Sequence, residues 1–463
     1  MTLIKSISGF RGTVGGKQNE NLTPVDIVKF SAAFACFIKE EQKDKEQITI
    51  VIGRDARVSG EMVSLLVCGT LIAMGVKVIN TGLSTTPTVE MAVLEHQADG
   101  GIILTASHNP VQWNALKLLN ANGEFINAEE GKRVLMLAEG DFEFAEVGKL
   151  GFCIEDQTSV DKHINKILAL PLVDIEAIKK ANFKIAFDSV CSTGGFVLNK
   201  LLSALGIQNI VALNTEPTGI FPHNPEPLPE NITEICEAVM KNHCDAGFVV
   251  DPDVDRLAIV CENGVPFVEE YTLVAVADYI LSNEKGNTVS NLSSSLALRD
   301  ITEAKGCKYS AAAVGEVNVV AKMKETNAII GGEGNGGIIY PALHYGRDAL
   351  VGIALFLTYL AKRKIKCSEL KATYPQYVIS KNKIELTPEI DVDNVLQQIA
   401  TKYKDNEIST IDGVKIYFNK SWVHLRKSNT EPIIRIYSES SNAAEADALA
   451  KQIIEDLRKD CNF

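Results

Sequence analysis

Residues 246–256 read AGFVVDPDVDR, and residues 101–110 read GIILTASHNP. Each is a short apolar run that breaks into a polar loop. Such a run, bounded by turn-forming residues, marks a strand covered on both faces. ITIVIGRD at 48–55 repeats the form, and so does FKIAFDSVCSTGG at 183–195. Helix-like stretches lie between these runs, at Gly60–Met74, Glu90–His96, Tyr271–Leu281 and Leu296–Lys305. Strand, loop, helix, strand is the pattern of largely parallel sheets with helices on their faces. The C-terminal stretch differs. Strands are predicted at Ile384–Thr387, Gly413–Phe418, Trp422–Leu425 and Pro432–Tyr437, between helices Val392–Lys402 and Ala443–Leu457. That pattern predicts an α+β module. Breaks in the pattern suggest domains at 1–155, 156–262, 263–366 and 367–463.

Composition narrows the classes of function. The 463 residues are 46% hydrophobic and 23% charged, which fits a globular protein and argues against disorder. The net charge is −13, so no broad basic field exists for nucleic acid or an anionic membrane. The apolar run Ala349–Ala361 is shorter than the ~20 residues of a membrane span and reads as a buried helix. The N-terminal MTLIKSISGFRG lacks the apolar core of a signal peptide. Ten cysteines are scattered without a C-x-x-C pair, which suggests reduced thiols in the cytoplasm rather than a cysteine–zinc or redox site.

Four loops carry candidate chemistry. In TASHNP (105–110), small neighbours leave the Ser107 hydroxyl approachable, and His108, Asn109 and Lys117 supply donors. No G-x-S-x-G elbow accompanies it, which argues against a serine hydrolase. A plainer reading has Ser107 capping a helix with Pro110 in its first turn. In DPDVDR (251–256), Asp251, Asp253 and Asp255 form an oxygen-rich set suited to Mg²⁺ or Ca²⁺. An EF-hand would need glycine where Arg256 stands, and helices where strands are predicted. Three carboxylates leave coordination positions open on Mg²⁺, and a phosphate oxygen commonly fills one. Phosphorylated Ser107 would supply that oxygen. In GGEGNGG (331–337), Glu333 and Asn335 offer acceptor and donor groups that suit a sugar's hydroxyls. In RKSNTEPIIR (426–435), Arg426, Ser428, Asn429, Thr430 and Arg435 make a candidate phosphate cradle.

These loops, in this order, resemble those of the α-D-phosphohexomutases. The resemblance runs over essentially the whole chain and includes GFRG (9–12), GRDARVSG (53–60) and VGEVNV (314–319). It implies three related α/β domains with mixed, largely parallel sheets, plus a C-terminal α+β domain, around a central cleft. It implies a phosphoserine at Ser107, which with Asp251, Asp253 and Asp255 would bind Mg²⁺. Arg11, His108 and Lys117 match the basic residues near the transferring phosphate. Arg256, Glu333, Asn335, Arg426, Ser428, Asn429, Thr430 and Arg435 match substrate-binding positions. Some positions depart from the family pattern. Pro252 and Val254 stand in the metal loop, Asn335 replaces a serine, and Gly337 replaces a histidine that some members use in proton transfer.

The implied reaction interconverts hexose 6-phosphate and hexose 1-phosphate through a 1,6-bisphosphate, which also serves as activator. The loop variants resemble the phosphoglucosamine mutase branch more than glucose-specific members. Glucosamine 6-phosphate to glucosamine 1-phosphate is therefore the expected reaction, with glucose or mannose phosphates as the alternative. The expected partner is the phosphosugar alone, on a monomer or small homo-oligomer. A Mg²⁺-dependent phosphatase would carry similar acidic loops but release phosphate to water. A binding protein would leave Ser107 unphosphorylated.

Overall fold

The computed structural model describes residues 2–6, 9–385, 391–427 and 433–460. The chain forms two compact units. The first runs to Thr272 and takes in Gly336–Ser368; the second holds Leu273–Asn335 and the chain from Glu369 onward.

The first unit contains two sheets. The larger has seven strands in the order Ile4–Ser6, Gly9–Thr13, Trp113–Leu119, Gly100–Leu104, Thr49–Arg54, Lys77–Leu83 and Phe152–Glu155. Thr49–Arg54 runs parallel to both of its neighbours. The apolar runs seen in the sequence are continuous because both faces of this sheet are covered. Ile50, Ile52, Ile102 and Leu104 point to one face, where Phe30, Phe34, Val63 and Val67 pack on them. Val51 and Ile103 point to the other, against Val89 and Val93 of the helix Thr86–Glu95. Burying each such side chain contributes about 1.5–3 kcal/mol. The parallel reading misses the antiparallel side of this sheet. Trp113–Leu119 pairs antiparallel with both Gly9–Thr13 and Gly100–Leu104. Lys117 and Arg11 therefore stand on strands of one sheet, and Ser107 precedes a strand rather than capping a helix.

The smaller sheet orders Leu257–Cys261, Ala246–Val250, Lys184–Asp188 and Asn209–Leu213. The last three strands are mutually parallel, whereas Leu257–Cys261 folds back antiparallel on Ala246–Val250. The apolar run at 349–361 is buried throughout, inside the helix Ala349–Arg363. Its Phe356 makes edge contacts with Phe248 and Phe267, at 6.2 and 5.6 Å between ring centres. Among the described residues, no helix is long and apolar enough to cross a membrane.

In the second unit, Tyr309–Ala312, Asn287–Asn291 and Ala328–Glu333 lie parallel, in that order. The C-terminal strands form an antiparallel sheet of five: Val378–Glu385, Ile433–Ser440, Ser421–Lys427, Val414–Phe418 and Glu407–Ser409. The helices Val392–Lys402 and Ala443–Asp460 close its core, with Leu396, Ile399, Ile453 and Leu457 packed on Ile416, Val423 and Ile436. Its expected strands at Ile384–Thr387 and Pro432–Tyr437 run partly into residues 386–390 and 428–432, which lie outside the described ones.

His424 sits buried in that unit. Its Nε2 donates to the Asp412 carbonyl at 2.7 Å, and its Nδ1 accepts from the Ser293 hydroxyl at 3.0 Å. Burial, aided by Lys415 and Arg426, pulls its pKa down to about 3. The folded state thus refuses a proton that the unfolded chain takes up near pH 6.5. Stability falls as pH drops from that value toward 3, by at most about 1.4 kcal/mol per pH unit. Chemical denaturation at about pH 6 and 5 should show this slope in wild type relative to His424→Gln. A stability difference that does not change with pH would refute it.

Candidate active site

The three aspartates converge because their loop is a hairpin. Val250 pairs with Leu257 across the two strands, so residues 251–256 must reverse direction within one turn. The Val254 amide donates to the Asp251 carbonyl at 3.1 Å, and Val254 takes a left-handed φ of 62°. Such a φ is an outlier for a β-branched residue and signals an imposed turn. The Asp255 and Arg256 amides then donate to Asp251 Oδ1, at 3.2 and 3.1 Å. Convergence comes from this tight turn, not from alternation along an extended loop. One oxygen from each aspartate lies within 4.8 Å of the others, and all three residues are buried.

The electrostatics are unbalanced in a telling way. Burial, then Asp255 and Asp253, pushes Asp251 well above the usual carboxylate range. Burial would raise Asp253 too, but Lys117 and Thr86 outweigh it and hold Asp253 below that range. Lys117 Nζ lies 2.7 Å from Asp253 Oδ2 and 3.6 Å from Asp255 Oδ2. The Thr86 hydroxyl donates to Asp253 Oδ2 at 2.6 Å, and Arg347 Nη2 to Asp255 Oδ2 at 2.6 Å. Asp253 Oδ1 and Asp255 Oδ1 are nevertheless buried without a hydrogen-bond partner. Two orphaned carboxylate oxygens beside Asp251 fit a hard divalent cation.

Ser107 completes the set. Its hydroxyl donates to Asp251 Oδ2 at 2.7 Å and lies 3.3 Å from His108 Nδ1. Its backbone is left-handed, with φ 49°, and its amide donates to Thr105 Oγ1 at 2.9 Å. The strand Gly100–Leu104 aims the loop, and Arg57 fastens it. Arg57 donates to the carbonyls of Ser107, Asn109, Pro110 and Trp113. Asp55 orients Arg57 through its Nε at 3.0 Å and accepts from the Thr105 hydroxyl at 2.6 Å.

Cations crowd around the serine. Burial, then the charge of Arg256, lowers the pKa of Arg11. Burial, with Arg256, Arg11 and Arg347 adding, lowers His108 well below its ordinary value. Arg11 reaches Asn109 Oδ1 at 3.3 Å, and Arg256 reaches Glu226 at 3.1 Å. Guanidinium groups set this close, beside a neutral imidazole, mark a place for an anion with several acceptor oxygens.

Arg11, Ser107, His108, Lys117, Asp251, Asp253, Asp255 and Arg256 thus meet in the first unit. The second unit carries the other predicted residues. Glu333 is buried and accepts from Asn291 Nδ2 at 2.8 Å and the Gly315 amide at 3.1 Å. Asn335 Nδ2 lies 3.5 Å from Glu333 Oε2. Arg426 and Arg435 face each other in register on neighbouring strands. Ser428, Asn429 and Thr430 lie outside the described residues. Sequence reasoning missed Asp55, Arg57, Thr86, Glu226 and Arg347. Arg-Asp at the end of the strand Thr49–Arg54 signals Asp55 and Arg57, whereas Arg347 has no local signal.

Comparison with known proteins covers nearly the whole chain. Family models described as phosphoglucomutase/phosphomannomutase alpha/beta/alpha domains I, II and III match residues 3–142, 161–264 and 269–377. The matching C-terminal domain model covers 383–456. A phosphoglucomutase/phosphomannomutase of Thermococcus kodakarensis is 37% identical over 94% of this chain and 95% of its own. A phosphoglucosamine/phosphogalactosamine mutase of Sulfurisphaera tokodaii is 32% identical over 97% of each. The crystal structure of a phosphoglucomutase/phosphomannomutase family protein from Burkholderia thailandensis superposes with TM-score 0.85 at 24% identity, covering 99% of this chain and 97% of that one.

Removing Arg57 would leave Asp55 buried without its cation, and four carbonyls without their donor. Arg57→Ala should cost about 3–5 kcal/mol of stability. Denaturant unfolding measures it, and a loss below about 1 kcal/mol would show that the fastening is not needed.

Proposed function

The chain belongs to the phosphoglucomutase/phosphomannomutase family and is a phosphohexomutase, an isomerase-class phosphotransferase; from that premise we propose that Ser107 carries the phosphoryl group which passes to and from the sugar. The observation that carries this reading is the 2.7 Å contact of the Ser107 hydroxyl with Asp251, which Lys117 also approaches through Asp253 and Asp255. A phosphate on Ser107 would replace the proton now donated to Asp251 with oxygens facing Arg11, His108, Lys117 and Arg256.

Transfer then breaks the bond between phosphorus and Ser107 Oγ and forms one to the free sugar hydroxyl, whose lost proton is balanced by the one that Ser107 Oγ takes up. The product is a hexose 1,6-bisphosphate. In the second half the bond between the other phosphorus and its sugar oxygen breaks and one to Ser107 Oγ forms, while the serine proton leaves and the freed sugar oxygen takes one up. Splitting the isomerisation this way avoids an implausible direct jump across one ring. Arg11, Lys117 and Arg256 keep the moving group's charge neutralised, and the fastened loop holds Oγ in line, so catalysis is mostly positioning and electrostatics. Mg²⁺ held by Asp251, Asp253 and Asp255, when bound, would supply further charge neutralisation at the phosphoryl oxygens.

The same reading gives Glu333 and Asn335 the sugar hydroxyls. It gives Arg426, Ser428, Asn429, Thr430 and Arg435 the phosphate that is not reacting. Arg426 and Arg435 stand in register on adjacent strands, so their forks could share one bound dianion. The bisphosphate serves as activator by restoring phosphate to Ser107. Ten cysteines without a pairing pattern fit a reducing cytoplasm.

For the sugar we propose glucosamine 6-phosphate and glucosamine 1-phosphate, on the loop variants and the name of the Sulfurisphaera relative. The name of the Thermococcus relative supports glucose and mannose phosphates as a second reading. Turnover of glucosamine, glucose, mannose and N-acetylglucosamine phosphates, each with its bisphosphate, should give the highest kcat/KM for glucosamine. A higher value for glucose or mannose would reverse the order. Ser107→Ala should fold normally and lose at least about a thousandfold in kcat with every sugar. Residual turnover near wild type would remove the serine from the mechanism.

A further inference from the structure

A second buried cluster lies in the first unit, outside the residues that transfer phosphate. His163 on the helix Ser159–Leu168, with His344 and Asp348, brings three potential ligand atoms within 4.8 Å of one another. His163 Nε2 is 2.9 Å and His344 Nε2 is 3.3 Å from the same oxygen, Asp348 Oδ2. The other oxygen, Oδ1, is tied to the Leu350 and Val351 amides at 2.8 and 3.3 Å, so the carboxylate is fixed. The outward nitrogens are placed as well. His163 Nδ1 lies 3.0 Å from the Thr88 hydroxyl, and His344 Nδ1 lies 3.4 Å from Glu90 Oε2.

Proton bookkeeping separates two states of this cluster. With no cation, both rings must turn an Nε2–H toward Asp348. His163 then remains satisfied, because Thr88 can donate to its Nδ1 while accepting from Thr85 at 2.7 Å. His344 does not. Its bare Nδ1 would face the Glu90 carboxylate, and that nitrogen is buried without a hydrogen-bond partner. With a cation bound between the Nε2 atoms and Asp348 Oδ2, each ring donates Nδ1–H outward, to Thr88 and to Glu90. Donation from a bound imidazole to a hydroxyl or carboxylate is the usual outer sphere of a histidine metal site.

We propose that His163, His344 and Asp348 form a second, structural metal site for a zinc-class ion. Two imidazoles and one carboxylate are too nitrogen-rich for Mg²⁺ and suit Zn²⁺. The separations of 2.9 and 3.3 Å approach the ~3.3 Å edge of a tetrahedron with bonds near 2.0 Å. His163 also lines a small surface pocket with Glu95, Ser159 and Lys166. A bound ion would join the helix Thr86–Glu95, through its outer partners Thr88 and Glu90, to the helix Ser159–Leu168 and the start of the helix Ala349–Arg363.

Chelator-stripped full-length protein, saturated with Mg²⁺ to fill the aspartate loop, is titrated with Zn²⁺ and assayed by equilibrium dialysis with elemental analysis. One equivalent should be retained, and X-ray absorption should report two imidazole ligands. The spectrum is taken on wild type, so it does not depend on any variant folding. His163→Gln with His344→Gln should weaken retention at least a hundredfold, whereas Asp253→Asn should keep the equivalent. No retained Zn²⁺ in wild type, fewer than two imidazoles, or undiminished binding in the double variant would overturn the site.

Discussion

Three carboxylates on one buried turn repel one another, and much of the first unit is arranged around that repulsion. Two like charges about 4 Å apart cost roughly 4 kcal/mol even at an effective dielectric of 20. Lys117, Arg347, Thr86 and the turn's own amides answer most of the charge, yet Asp253 Oδ1 and Asp255 Oδ1 remain without partners. Around Ser107 the problem is the converse, since Arg256 raises the cost of charging Arg11 and both oppose a proton on His108. Neither set is comfortable alone. An anion carried by Ser107 and a cation among the aspartates relieve both at once, which is why the two loops make chemical sense only as a pair.

Holding them as a pair requires rigidity where loops are ordinarily loose. Arg57 supplies it by replacing solvent for four carbonyls of the serine loop, while Asp55 fixes the guanidinium from behind. Arg57 also stacks over Phe221, 5.0 Å from the ring centre, so its face is covered as well as its edges. The helix Thr86–Glu95 has a comparable double role. Thr86 at its start binds Asp253, and Thr88 and Glu90 one turn later face the histidine cluster.

Much of this was readable before the fold. The apolar runs at 48–53, 101–104 and 246–250 become central strands because alternate residues must bury against opposite helical layers. The boundaries of the helix Val392–Lys402 follow from its pattern, and the apolar run after Asp348 is the buried helix it promised. The metal loop and the serine loop were visible because aspartates at alternate positions, and a serine among small residues, have few other uses. What stayed hidden depends on distant pairing. The sequence singles out Lys117 but not the strand Trp113–Leu119 that carries it, because its pairing with Gly9–Thr13 joins segments distant in sequence. Arg347 meets Asp255 across 92 residues, and Thr86 meets Asp253 across 167. His163 and His344 look like isolated core histidines until the fold brings them to one carboxylate.

The left-handed backbone of Ser107 has a cost that function conceals. Glycine adopts that conformation without the steric penalty of a Cβ, so the peptide chain itself would be more at ease with no side chain there. The hydroxyl that meets Asp251 thus stands at a position where the backbone alone favours its removal. Ser107→Gly would relax the backbone at the expense of the hydroxyl, so stability and the proposed chemistry pull in opposite directions at this one position.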